Sequence, residues 1–141
     1  MPICATYSQP DPETLLQRAR ELADQGRLDD ARHLCQAALQ QERLSAEGHR
    51  LLAAIYQEQG EIAKALEALR RALYLEPNSA EAHFLHGSLL LRQGKRRAGL
   101  RSMETVVSLL RGMPSEAPLG GDGVTAARLM EMAHMYVEAK G

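Results

Sequence analysis

The apolar positions along this chain recur with helical spacing, and the pattern then repeats as a block. Small residues form three columns: Ala19, Ala53 and Gly87; Ala31, Ala65 and Gly99; Ala38, Ala72 and Val106. Larger apolar residues fill the columns between them: Leu22, Tyr56 and Leu90; Cys35, Leu69 and Met103; Leu39, Leu73 and Val107. The members of each column lie about 34 residues apart, the span of one helix-turn-helix repeat unit. The most regular copy is Ser45–Pro77, which reads as a helix, a Gln59-Gly60 break, a second helix and a proline stop.

The polar punctuation runs in phase with the apolar columns. Asp11, Ser45 and Ser79 are helix-capping types, with Pro12 suited to a first helical position. Glu13, Glu47 and Glu81 complement the positive end of the helix dipole. Gln25-Gly26, Gln59-Gly60 and Gln93-Gly94 supply a residue free to turn left-handed, end one helix and reverse the chain into the next. Together these predict helices near 12–25 and 28–41, 46–59 and 62–75, and 80–93 and 96–111.

The expected fold is all-α, a solenoid of three helix-turn-helix repeats and a C-terminal capping helix. Its parts are a flexible leader over 1–10, repeats over 11–44, 45–78 and 79–111, a Gly/Pro-rich loop over 112–122 and a last helix over 123–141. Asp122 stands where it could cap that helix, and Leu129, Met132, Ala133 and Tyr136 copy the spacing of a repeat's first helix. One such pair cannot bury its apolar face alone. Neighbours must stack, about three being the minimum, and the last helix is placed to cover an open end.

Composition narrows the function classes. The chain has 141 residues and a net charge of -1, which provides no general attraction for nucleic acid. No apolar run reaches the roughly 18 residues of a membrane span. The start, MPICATYSQPDP, lacks the basic and apolar regions of a secretory signal. Two cysteines, Cys4 and Cys35, make no disulfide framework, so a reduced, cytoplasmic setting is expected. Cys35 sits in an apolar column, as a small buried hydrophobe would.

The columns Ala53, Tyr56, Ala65, Leu69, Ala72 and Pro77 are similar to the tetratricopeptide repeat. The usual tryptophan column holds Leu15, His49 and His83, and the closing proline is matched only by Pro77, with Arg43 and Arg111 at the other two places. A narrower likeness runs from LRRALYLEPNSAEAHFLHGSLLLRQGK through an irregular loop to DGVTAARLMEM. It resembles the C-terminal repeat region of CheR-type chemoreceptor methyltransferases, in which a catalytic domain dependent on S-adenosylmethionine precedes such repeats. No strand here leads into a glycine-rich nucleotide turn, so the catalytic domain is not expected in this chain. The resemblance implies a regulatory module without a cofactor of its own. Its partner would be a chemoreceptor cytoplasmic region, a signalling protein or the methyltransferase domain itself. The alternative is a general assembly or chaperone-type adaptor unrelated to methylation.

Few residues suggest chemistry. Gly120-Gly121-Asp122-Gly123 lacks the preceding strand and the following Lys and Ser/Thr of a phosphate loop. His83 and His86 have metal-like spacing, but nothing completes a tetrahedral set, so packing and hydrogen bonding are expected of them and of His49. Glu131 and His134 have the spacing of a di-metal ligand pair without the second copy such a site needs. Met103, Met130, Met132 and Met135 fit either core filling or an adaptable apolar surface.

The expected binding surface is the groove lined by the first helix of each repeat: Leu16, Arg20, Arg50, Ala54 and Gln57, then Phe84, Ser88 and Leu91. Phe84, the only phenylalanine, is the expected anchor. The Lys and Asn clamp of chaperone-tail binders is absent, its columns holding Leu16, Arg20, Leu51, Ala54, Glu81 and Leu85. Arg92, Lys95, Arg96, Arg97 and Arg101 form a possible basic patch for an acidic protein surface.

Overall fold

A computed structural model describes residues 10–119 and 124–138. Among them are seven helices: α1 Pro12–Asp24, α2 Leu28–Gln41, α3 Ala46–Glu58, α4 Ile62–Leu75, α5 Ala80–Arg92, α6 Arg96–Leu110 and α7 Ala126–Glu138. The first six start and stop within one residue of the expected bounds. They divide between two compact units, one ending at Leu75 and the other beginning at Glu76.

The caps explain this agreement. Asp11 Oδ1 accepts from the Thr14 N–H at 2.8 Å, and hydrogen bonding to the Thr14 side chain and backbone holds its carboxyl below its ordinary value. The Ser45 and Ser79 hydroxyls accept from Gly48 and Ala82 N–H at 3.0 and 3.2 Å, each bond contributing about 1 kcal/mol.

The other ends are set by glycine. Gly26, Gly60 and Gly94 lie at φ 81°, 79° and 81°. Their own N–H groups donate to Ala23, Gln57 and Leu91 carbonyls at 3.0 Å. The next N–H groups, of Arg27, Glu61 and Lys95, donate to Leu22, Tyr56 and Leu90 at 2.9, 2.8 and 2.9 Å. This is the Schellman closure, formed three times. An added Cβ at any of the three would touch nothing within 4 Å, so the requirement for glycine is conformational rather than steric.

Inside the first unit, the small columns are the seam. Ala19 and Ala31, and Ala53 and Ala65, are fully buried where α1 meets α2 and α3 meets α4. Cys35 and Leu69 fill the column behind them, and the Cys35 thiol donates to the Gly48 carbonyl at 3.2 Å. Among the polar contacts that bridge the repeats of this unit are Arg20 to Glu47 at 2.8 Å and Gln59 to Asp29 at 2.8 Å.

The second unit has glycine in both columns where the first has alanine. A Cβ on Gly87 would lie 3.0 Å from the Gly99 carbonyl oxygen, and one on Gly99 would lie 3.0 Å from that of Gly87. The two bare backbones let α5 and α6 approach closely, and the larger Met103 fills the column behind them, fully buried. The core of this unit continues through Val106, Val107 and Leu110 to Ala126, Leu129 and Ala133 of α7.

The segment expected to be a plain loop, and the start of the helix expected from 123, form a short ladder instead. Pro118–Leu119 (β1) pairs antiparallel with Val124–Thr125 (β2), in the register Pro118 to Thr125 and Leu119 to Val124. Ala117, Leu119 and Val124 pack against the α7 core. The segment also satisfies the first turn of α7: Ala126 N–H donates to the Ala117 carbonyl, Ala127 N–H to Ser115, and Arg128 N–H to the Thr125 hydroxyl. The helix begins at Ala126, after a ladder whose pairing occupies Val124 and Thr125, so its first turn is held by Thr125 and this segment. Asp122, the expected cap, lies outside the described residues.

Candidate protein-binding surfaces

The sequence-predicted groove residues divide between the units. In the first, Arg50, Ala54 and Gln57 are partly exposed and spaced to share one face of α3. Arg20, on α1, turns its guanidinium to Glu47 across the gap to α3, making a bridge that is itself half open to solvent. Leu16 is only 4% exposed and lies in the core, because its position on α1 faces inward. It offers no contact surface.

In the second unit Phe84, Ser88 and Leu91 are all partly buried. Phe84 and Leu91 pack against the core that α7 completes. The Phe84 ring meets Tyr136 edge to face, with centroids 6.0 Å apart. The expected free anchor is therefore held by the last helix. Ser88 returns its hydroxyl to the Leu85 carbonyl at 3.0 Å.

Arg92, Lys95, Arg96, Arg97 and Arg101 are all exposed around the α5–α6 turn. Helix α6 opens on Lys95, Arg96 and Arg97, with no acidic residue in its first turn and no side-chain cap, whereas α2 opens on Asp29 and Asp30. Positive charge at a helix N-terminus opposes the dipole, so this turn forgoes a local stabilisation that α2 has.

The histidines act as loop fasteners. His49 Nε2 lies 3.1 Å from the Arg43 carbonyl and His83 Nε2 lies 2.7 Å from that of Pro77. A carbonyl only accepts, so Nε2 carries the proton in both rings. His86 Nδ1 is 3.4 Å from the Ser102 hydroxyl. Among the described residues no group of three or more His, Cys, Asp or Glu is placed to hold a metal ion. Glu131 pairs with Arg128 at 2.8 Å rather than joining His134 at a site. The four methionines differ: Met103 is core, Met130 and Met132 pack on the α7 core, and Met135 is exposed. Gly120–Gly123 lies outside the described residues.

Sequence reasoning missed an open cleft of about 860 Å³ in the first unit. Its apolar lining is Leu39, Leu52, Tyr56, Ala68 and Leu75, drawn from α2, α3 and α4. Leu44 and Tyr74 also line it, and they are 78% and 86% exposed. The available signal was that both are large apolar residues standing outside every packing column. Gln36 donates to the Tyr56 hydroxyl at 3.3 Å, and Lys64 Nζ stands 5.9 Å from the centre of the Tyr56 ring.

A family model described as tetratricopeptide repeat matches residues 22–89. The fold is that of a tetratricopeptide-repeat protein. Among solved structures, the Yersinia enterocolitica type III secretion chaperone SycD, in complex with a peptide of the translocator YopD, is similar with a TM-score of 0.79 and 17% identity, over 90% of this chain and 89% of that one. PcrH from Pseudomonas aeruginosa gives 0.77 and 20%, over 91% and 89%. A Thermobaculum terrenum O-GlcNAc transferase mutant gives 0.67 and 27%, over 72% of this chain but only 20% of the transferase. No curated protein matches the sequence. Among the described residues no helix is long and apolar enough to cross a membrane.

Proposed function

We propose that this chain is a non-catalytic adaptor that holds a segment of another protein on the face formed by α1 and α3 of its first unit. The observation that carries this reading is the partly exposed set Arg50, Ala54 and Gln57 on α3, beside the Arg20–Glu47 bridge to α1. A cation and an amide flanking a small residue can take the backbone and acidic groups of an extended segment while Ala54 leaves room for its side chains. The tetratricopeptide-repeat neighbours support a peptide ligand: SycD was solved with a peptide of the translocator YopD, and PcrH with the chaperone binding region of PopD. The general adaptor reading is therefore the better supported. The mechanism is positioning, since a rigid surface holding one protein near another raises their effective concentration.

A second reading is the regulatory region of a CheR-type chemoreceptor methyltransferase. It rests on the DGVTAARLMEM segment. Thr125 in that segment holds the Arg128 N–H, a structural duty that any array ending in such a helix could use. Partner identity separates the two readings.

The test is titration of the full chain against two labelled panels, chemoreceptor cytoplasmic fragments and amphipathic peptides of secreted-protein type. Wild type is compared with Arg50→Glu combined with Gln57→Ala. The expected result is peptide binding that the double variant weakens. Equal binding by both proteins would remove the site from this face. Binding confined to the receptor fragments would select the second reading.

A further inference from the structure

The cleft of the first unit lies on a different side of α3 from the proposed peptide face. At 3.6 residues per turn, His49, Leu52 and Tyr56 point roughly 130° away from Arg50, Ala54 and Gln57. The two surfaces are therefore separable by mutation, and a site in the cleft does not depend on the adaptor reading.

Two observations describe what the cleft would take. Its floor is apolar, and Leu44 and Tyr74 leave large apolar surfaces in water at its edge. Leaving a tyrosine and a leucine this exposed forgoes the burial that contact with another molecule would restore. Its ionised lining is one-sided: Arg43, Lys64, Arg70 and Arg71 against the single carboxylate of Glu67. That carboxylate is already 3.5 Å from Arg71 on the next turn of α4. Arg43 and Arg70 have no side-chain partner among the described residues. The excess is local, because the whole chain carries a net charge of -1.

The geometry points to a second docking site in this cleft, for an acidic segment of a partner protein that carries leucine or aromatic side chains between its carboxylates. The apolar side chains would lie on Leu39, Leu52 and Tyr56, and the carboxylates would reach Arg43, Arg70 and Lys64 at the rim. A basic or uncharged segment would place its groups against unpaired cations and is disfavoured.

The experiment uses the full chain and a fluorescein-labelled peptide in which Asp and Glu alternate with Leu and Phe, read by fluorescence anisotropy. Two control peptides carry Lys for the acids, or Ser for the apolar residues. Wild type should bind the first peptide and neither control, more weakly as salt rises. Arg43→Glu with Arg70→Glu should weaken it by about tenfold, and Tyr74→Ala should weaken it with the rim charges intact. Arg18→Glu, on α1 and outside both surfaces, should leave it unchanged. Circular dichroism establishes that each variant is folded, the substituted positions all being exposed. Equal binding of all three peptides, or no effect of the rim reversals, would overturn the site. So would sedimentation showing that Tyr74→Ala dissolves a dimer, which would make the occupant a second copy of this chain.

Discussion

Phe84 on α5 and Tyr136 on α7 meet edge to face, their ring planes inclined by 67° and their centres 6.0 Å apart. The last helix thus occupies the side of α5 that carries the expected anchor. Tyr136 remains 40% exposed, so the contact is at the edge of the core rather than within it. A double-mutant cycle with Phe84→Ala and Tyr136→Ala, measured by urea unfolding, should give a coupling of about 0.5–1.5 kcal/mol. Additive effects would mean that the rings touch without stabilising one another. Tyr136→Ala should also speed amide hydrogen exchange in α7 ahead of α6, because it loosens the helix from one side.

Glycine does two different jobs here, and substitution should separate them. Gly60 needs its φ of 79° and has open space around it. Gly60→Ala should cost about 1–2 kcal/mol from backbone strain alone, and Gly60→Asn less, since asparagine tolerates that conformation. Gly99 needs the space. A Cβ there would stand 2.6 Å from Leu91 Cγ and 3.0 Å from the Gly87 carbonyl oxygen. The leucine can swing aside but the carbonyl cannot, so Gly99→Ala should cost about 1–3 kcal/mol, with Gly99→Asn worse. Urea unfolding of the four variants checks the reversed order for asparagine.

These glycines also show what a sequence can carry. Gly26, Gly60 and Gly94 were visible because a turn is local and its chemistry repeats with the period. The packing columns were visible for the same reason. The position of Phe84 beneath Tyr136 was not, because a period identifies which residues face inward but not which later helix meets them. The β1–β2 ladder was hidden by composition: Gly and Pro mark a turn, while two residues of pairing on either side leave no alternation to read. The cleft was the hardest to see. Its cations, Arg43, Lys64, Arg70 and Arg71, stand on two different stretches among ordinary solvent-facing positions. Only folding sets them around Leu44 and Tyr74.

His49 and His83 share a column but should respond differently to leucine, the residue the first repeat has there at Leu15. His49→Leu loses the bond to Arg43, about 0.5–1.5 kcal/mol, but it also removes a buried Nδ1 that has no partner among the described residues, which costs the native protein about 1–3 kcal/mol. The two effects oppose, and His49→Leu should be close to neutral. His83→Leu loses the Pro77 bond with no such relief and should destabilise by about 1 kcal/mol. Urea midpoints of the two variants at neutral pH provide the comparison. Equal losses would mean that the His49 Nδ1 is satisfied by water in solution.

Cys35 should make the protein alkali-sensitive. Burial pushes its thiol up to about 12 from an ordinary value of 9.0, the nearby Arg20 charge opposing only in part. Between those values the unfolded chain has lost a proton that the folded chain keeps. The folded state binds more protons, so stability falls as pH rises through this window and is unaffected by this group below it. The slope approaches about 1.4 kcal/mol per pH unit. Lysines and tyrosines titrate in the same range, so the measurement is a difference. Urea unfolding of Cys4→Ser is compared with that of Cys4→Ser/Cys35→Ala at roughly pH 8 and pH 10.5. Cys35→Ala should lower stability at the lower pH, through the cavity it leaves, and should flatten the decline between the two. In the Cys4→Ser background the native thiol should also resist alkylation near pH 8 and react once urea unfolds the chain. Parallel declines together with ready alkylation of the native state would mean that the Gly48 carbonyl and its surroundings open to solvent far more often than the fully buried sulfur implies.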